Sequence, residues 1–288
     1  MAGDMFDTAK FPPSQAALRR IRADLAQIFR DPPPGIFVAV NDANVAWVDA
    51  LVTGPTDTPY EGGFFWFRMQ FPADYPNRPP RVTLMTTGGG QVRFNPNLYR
   101  DGKVCLSLLG TWEGPGWSPA QSCASILVSI QSLMSAEPYR NEPGYENTTS
   151  TRDIALYNEC IVHETIRVAV CDTLEETDYA KSMPPALREL AREVAPNFME
   201  FFKEKCRERM GKDKQRMVDS FREDRGTFQW SQLLQRLERL QAALPTPDPE
   251  SASEGNGEED DEDNDDAVSQ ADAEDVKPVL TPSLSPGV

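Results

Sequence analysis

The sequence predicts an α+β fold: one helix, a four-stranded antiparallel meander, a long irregular segment and then several helices. Two observations carry this. Apolar residues recur at helical spacing on either side of four short runs rich in β-branched and aromatic residues. The links between those runs are too short to hold crossover helices, so neighbouring strands must be antiparallel.

In order, residues 1–12 read as a flexible lead-in. Ser14 is placed to cap a helix carrying Leu18, Ile21, Leu25 and Ile28, which must stop before Pro32-Pro33-Pro34-Gly35. Ile36 to Val40, Trp47 to Thr53, Phe64 to Phe71 and Val82 to Met85 read as strands. Gly54-Pro55 and Gly62-Gly63 mark turns between them. The stretch from Thr86 to Pro119 is rich in Gly, Pro and Asn, and so long an irregular segment in a compact domain implies a function. A helix is expected from Pro119 through Ile126, Ile130 and Leu133. Others are expected over Tyr157 to Leu174, Pro185 to Cys206 and Phe228 to Leu244. The expected divisions are a core at 13–150, a helical extension at 151–245 and a disordered acidic tail at 246–288.

The chain has 288 residues, 39% of them hydrophobic, enough for a substantial core. Its net charge is −16, but 14 acidic residues against Lys277 alone lie from Asp248 onward. That tail therefore carries −13, and the rest only −3. Such a tail cannot bury enough apolar area to offset chain entropy. No basic surface suited to nucleic acid is indicated. No apolar run is long enough for a membrane span, and the N-terminus lacks a signal-peptide pattern. Five cysteines without a C-x-x-C spacing argue against a disulfide framework or a metal site, and suit a reducing compartment. The expected localisation is cytoplasmic, with the nucleus open as well.

A lone cysteine between Val104 and Leu106 is ordinarily a buried small hydrophobe. The surrounding motifs make Cys105 different. Arg30-Asp31-Pro32-Pro33 ends the first helix, and Thr58-Pro59-Tyr60-Glu61-Gly62-Gly63-Phe64 forms a strand turn. Phe71-Pro72-Ala73-Asp74-Tyr75-Pro76-Asn77-Arg78-Pro79-Pro80 crosses before the fourth strand. Phe94-Asn95-Pro96-Asn97 stands eight residues before Cys105, and Trp117-Ser118-Pro119-Ala120 follows it. In this order and spacing, over residues 14–145, the motifs resemble the ubiquitin-conjugating enzyme family. Asn-Pro-Asn in place of the usual His-Pro-Asn, with Tyr157 to Asp172, makes the chain most similar to the Z branch, which has a long C-terminal extension.

The resemblance implies acyl transfer. Cys105 would take ubiquitin or a ubiquitin-like modifier from an activating enzyme as a thioester and pass it to a substrate lysine, usually with a ligase. Asn97 would support the oxyanion or order the loop. Glu142, within Glu137-Pro138-Tyr139-Arg140-Asn141-Glu142-Pro143, would orient and desolvate the incoming amine. Arg19 and Arg20 would meet the activating enzyme, and Asn77, Arg78, Trp117, Ser118, Pro119 and Ala120 the partner surface for ligases. Asn77 stands where many members offer a large apolar side chain. No cofactor binds directly, and ATP is used by the activating enzyme, expected to be the less common of its two types. Asn95 should alter local packing without loss of chemistry. Thr87 to Gln91 and Gly110 to Gly116 look like insertions flanking the site.

Two other functions compete. A catalytically silent ubiquitin- or ligase-binding module would lack the cysteine, which is present. A Cys–His hydrolase would need His163, the chain's one histidine. Its charged neighbours make it read as a surface or interface residue. Cys160 and Cys171 lie three helical turns apart, a spacing that packing explains.

Overall fold

The computed structural model describes residues 12–41 and 44–244; the acidic tail and all but the last residue of the lead-in lie outside the described residues. Helix α1, Gln15–Arg30, begins where expected, because the Ser14 hydroxyl accepts from Ala17 N at 3.0 Å. It ends at Asp31, before the proline run. Strands β1 (Ile36–Val40), β2 (Trp47–Thr53), β3 (Phe64–Gln70) and β4 (Arg81–Leu84) form an antiparallel sheet in that order. Thr53 faces Phe64 across the β2–β3 pair. The turn joining them needs Gly54, where a Cβ would fall 1.8 Å from the Tyr60 carbonyl oxygen.

Strand alternation divides this sheet between two cores. Ile36, Val38, Val48, Ala50, Val52, Phe65, Phe67 and Met69 face one side. They join Ile21, Leu25 and Ile28 of α1 and Ile126, Leu127 and Ile130 of α2, Cys123–Leu133. Phe37, Leu51, Phe64 and Trp66 face the other side and join residues from position 160 onward. Helix α2 begins later than expected. Ser122 and Ser125 cap its N-terminus reciprocally, and Ser118 to Ala120 remain an exposed turn.

The second core is closed by α3 (Thr151–Glu164), a π-helical segment (Thr165–Asp172), α4 (Asp178–Ser182), α5 (Pro185–Val194), α6 (Met199–Glu208) and α7 (Trp230–Ala243). Helix α3 begins before the expected Tyr157 because Ser150 caps it by accepting from Asp153 N. The expected single helix from Pro185 to Cys206 is broken by a 3-10 turn at Ala195–Phe198, which contains Pro196.

The extension is not wholly helical. Strands β5 (Arg216–Val218) and β6 (Asp224–Thr227) form a separate antiparallel hairpin. Buried Asp219 closes it: one carboxylate oxygen accepts from Phe221 N at 2.9 Å and Glu223 N at 3.0 Å, and the other from Arg225 Nε at 2.8 Å. Core and extension belong to one compact unit, so the division expected near residue 150 is a boundary in the chain and not in the packing.

Candidate active site

Cys105 lies on the returning limb of an irregular loop beside β4. Leu98 bridges both Asn95 and Val104, and Lys103 bridges Thr83. Gly102 makes the return possible. It holds φ of +86°, and a Cβ there would meet the Leu84 carbonyl at 2.7 Å. Its own carbonyl accepts from Leu84 N at 2.8 Å.

Asn97 is brought directly against Cys105. Cys105 N donates to the Asn97 carbonyl at 2.9 Å, and Asn97 Nδ2 donates to the Cys105 carbonyl at 3.0 Å. Asn97 therefore holds both backbone groups of Cys105, the N–H through its own backbone carbonyl and the carbonyl through its side-chain amide. Asn97 Oδ1 is buried without a partner. Asn95 organises the turn above: its Oδ1 accepts from Asn97 N at 2.9 Å, and its Nδ2 donates to Tyr60 Oη at 2.9 Å and to the Leu133 carbonyl at 2.8 Å. Asn141 Nδ2 donates to the same Leu133 carbonyl at 3.0 Å. An amide can hold this network because it offers donors and an acceptor together.

Burial pushes the Cys105 thiol above its ordinary value, against the cations of Lys103 and Arg93 and a hydrogen bond with Tyr99, which draw it back. At the other four cysteines nearby arginines also draw the thiol back, but burial outweighs them by more. Cys123, Cys160, Cys171 and Cys206 are each at most 1% exposed, and burial pushes each up to about 12.

Glu142 stands on the rim through Arg93, not through Cys105. Arg93 Nη2 donates to Glu142 Oε2 at 3.0 Å and to the Pro96 carbonyl at 2.7 Å, while its guanidinium lies 4.3 Å from the centre of the Tyr99 ring. Thr111, in the segment Gly110 to Gly116, donates to the Val104 carbonyl at 2.7 Å and accepts from Leu106 N at 3.0 Å, bracketing Cys105. Arg93, Tyr99 and Thr111 escaped the sequence reading. Arg93 and Tyr99 flank the Phe94 to Asn97 motif without belonging to it, so they carry no spacing signal of their own.

The expected partner residues are joined by contacts between α1 and two loops, with a division among them. Trp117 Nε1 donates to the Pro76 carbonyl at 2.6 Å, joining the two loops, with Asn77, Arg78, Ser118, Pro119 and Ala120 exposed around it. Arg78 Nε pairs with Asp74 at 2.8 Å. Arg19 is exposed. Arg20, expected like Arg19 to meet the activating enzyme, bonds Asp24 Oδ1 at 2.7 Å and donates to the carbonyls of Pro119 and Gln121. The correction for His163 is larger. It is 1% exposed, its Nδ1 bonds Glu164 at 3.0 Å and its Nε2 accepts from Gln229 N at 2.9 Å. With both ring nitrogens engaged in the extension, it is a core residue and does not serve as a base for Cys105.

A profile of the family described as ubiquitin-conjugating enzyme matches residues 20–155. Along most of its length the chain is similar to ubiquitin-conjugating enzyme E2 Z of Danio rerio, at 52% identity over 80% of this chain and 70% of the relative. It is also similar to ubiquitin-conjugating enzyme E2 Z of Homo sapiens, at 52% identity over 76% of this chain and 61% of the relative. A shorter match, 48% identical over 48% of this chain and 3% of the relative, is to the dual E2 ubiquitin-conjugating enzyme/E3 ubiquitin-protein ligase BIRC6 of Homo sapiens.

Proposed function

The chain belongs to the ubiquitin-conjugating enzyme family, in its Z branch, and from that premise we propose that Cys105 is the residue that carries the modifier. The observation behind this choice is the contrast among the thiols: one lies in a braced loop beside two cations, and four lie within apolar cores. The Cys105 sulfur attacks the carbonyl carbon of the thioester on the activating enzyme. A new sulfur–carbon bond forms, and the activating enzyme's cysteine leaves as a thiolate. A lysine amine then attacks the Cys105 thioester, loses a proton and displaces the Cys105 sulfur.

In this reading Asn97 acts first by fixing the Cys105 backbone, because its Nδ2 is directed at the Cys105 carbonyl. Glu142 and Arg93 form the wall past which the lysine enters. Arg19 is an exposed basic contact on α1 for the activating enzyme, which we take to be the less common of the two types. The exposed surface at Asn77, Arg78 and Ser118 to Ala120 suits a ligase. Unpaired thiols fit a reducing compartment such as the cytoplasm.

The test is loading. With activating enzyme, ATP and ubiquitin or a ubiquitin-like modifier, the protein should form a thiol-sensitive adduct on a non-reducing gel. Cys105→Ala should abolish it, and Cys105→Ser should leave a thiol-resistant ester. A thiol-sensitive adduct on Cys105→Ala would place the nucleophile elsewhere.

A further inference from the structure

The β5–β6 hairpin, far along the chain from Cys105, touches both segments that wall the site. Arg225 is 7% exposed and pairs with fully buried Asp219 at 2.8 Å. Its Nη1 donates to the Arg93 carbonyl at 2.9 Å. The Arg93 side chain is the group that holds Glu142, lies over Tyr99 and acts on the Cys105 thiol. Glu223, next along the hairpin, pairs with Arg100 on the same loop.

The second wall is held independently. Phe221 lies 4.9 Å from the ring of Tyr139 and 5.6 Å from that of Tyr145, centre to centre. Those two tyrosines flank Glu142, and Tyr145 N donates to the Glu142 carbonyl at 3.0 Å. One hairpin thus reaches Arg93 through Arg225 and the Glu142 segment through Phe221, while Arg93 and Glu142 meet each other across the site.

We propose that the β5–β6 hairpin is a brace that sets the spacing between the Arg93 and Glu142 walls. Arg225 and Phe221 are then positioning residues for transfer to lysine. The inference rests on Cys105 being the modifier-carrying residue. It assigns the extension a part in the second step of the reaction in particular. Thiol exchange at Cys105 needs only the sulfur and the thioester carbon brought together, whereas aminolysis also needs the amine aligned and its proton received. Arg225 reaches no reacting atom and acts through Arg93.

The test uses the full chain with Arg225→Lys, Phe221→Leu, Arg93→Met and the Arg225→Lys/Arg93→Met double variant. Each is loaded, ATP is quenched, free lysine is added and thioester decay is followed. Arg225→Lys keeps a charge beside Asp219 but loses the fork that spans to the Arg93 carbonyl. The expected result for Arg225→Lys and Phe221→Leu is loading within about twofold of wild type and lysine discharge slowed about tenfold, inside the ~10²-fold that an ångström-scale misplacement costs. The double variant should discharge no slower than Arg93→Met alone, because both act through one group. Equal losses in loading and discharge, or multiplying losses in the double variant, would reduce the hairpin to a general stabiliser and overturn the brace. If Arg225→Lys does not fold, Phe221→Leu decides alone: unchanged discharge overturns the proposal. A wild-type chain that never loads is a different failure, that of the Cys105 assignment.

Discussion

The two faces of the central sheet are built from the same four strands, yet they are closed in different ways. One face receives two helices, α1 and α2, each with a serine cap and a regular apolar stripe, and Ile154, Tyr157, Ile161, Val168 and Ala169 add to the same core. The other is closed by α3, the π-helical segment, α5, α6 and α7, and it includes buried Asp49 bonded to Trp66 Nε1 at 2.7 Å and Arg68 Nε at 2.9 Å. An antiparallel sheet commonly leaves one face to water and shows it as alternating polarity. Here Phe64-Phe65-Trp66-Phe67 has no polar alternation because neither face is solvated. The extension therefore covers the sheet's second face. Phe37, Leu51 and Phe64 are each worth about 1.5–3 kcal/mol relative to exposure.

The most severe way to break this comparison is to remove one side. A chain ending at Ser150 would expose Phe37, Leu51, Phe64 and Trp66 as one apolar patch, and would lose the Arg225 bond to the Arg93 carbonyl. It should not give a cooperatively folded monomer, whereas a chain ending at Leu244 should melt like the full chain. Calorimetry and sedimentation of the two truncations check this. A 1–150 fragment that melts cooperatively as a monomer would show that the first face suffices.

The legibility of the sequence follows the same division. All four strands are placed to within a residue, because aromatic and β-branched runs between turn signals survive burial on both sides. The Asn97–Cys105 pairing is also readable, since both lie within one motif frame. The hairpin is not. Strands of three and four residues, Arg216–Val218 and Asp224–Thr227, are largely polar and have no alternation to detect. His163 misled because its neighbours in sequence, Glu164 and Arg167, look solvated, while in space Glu164 is buried by pairing with both His163 and Arg167. The intramolecular bonds of Arg20 were hidden in the same way. A basic residue on an amphipathic helix reads as free until the carbonyls of a distant loop are found against it.

A second prediction separates the site from the layers that support it. Asn97→Ala removes the donor to the Cys105 carbonyl and leaves that buried group unpaired, at a cost of about 1–3 kcal/mol in stability. Loading should stay within a few-fold of wild type, because the thiol and its cations are untouched. Lysine discharge should fall by about 10²-fold, as it does where one preorganised donor is lost. A single-turnover chase on preloaded protein reads both steps. Equal decay for the variant and wild type, with both folded and loaded, would leave Asn97 as a turn residue.

The smallest effect concerns the thiols, and it sharpens the contrast between the cores and the loop. Cys123 belongs to the first core, Cys160, Cys171 and Cys206 to the second, and Cys105 to the loop beside the sheet. An alkylating reagent attacks the thiolate, so its rate at each cysteine rises with pH toward that cysteine's own titration. The four core thiols, pushed up to about 12 by burial, should stay silent in the native protein at pH 8. Cys105 is also raised by burial, but Lys103 is the largest influence drawing it back. Lys103→Met removes that cation, so the Cys105 titration should move further up and alkylation at pH 8 should slow. A single charge several ångströms away in a solvent-like dielectric is worth on the order of 0.5 kcal/mol, about twofold in thiolate population. The difference should shrink in high salt, where a partly exposed charge is screened. Mass spectrometry after timed iodoacetamide exposure between pH 7 and pH 10 measures the profile at each cysteine. An unshifted Cys105 profile in Lys103→Met would mean that the lysine has no hold on the thiolate, and that Arg93 and Tyr99 alone oppose the burial.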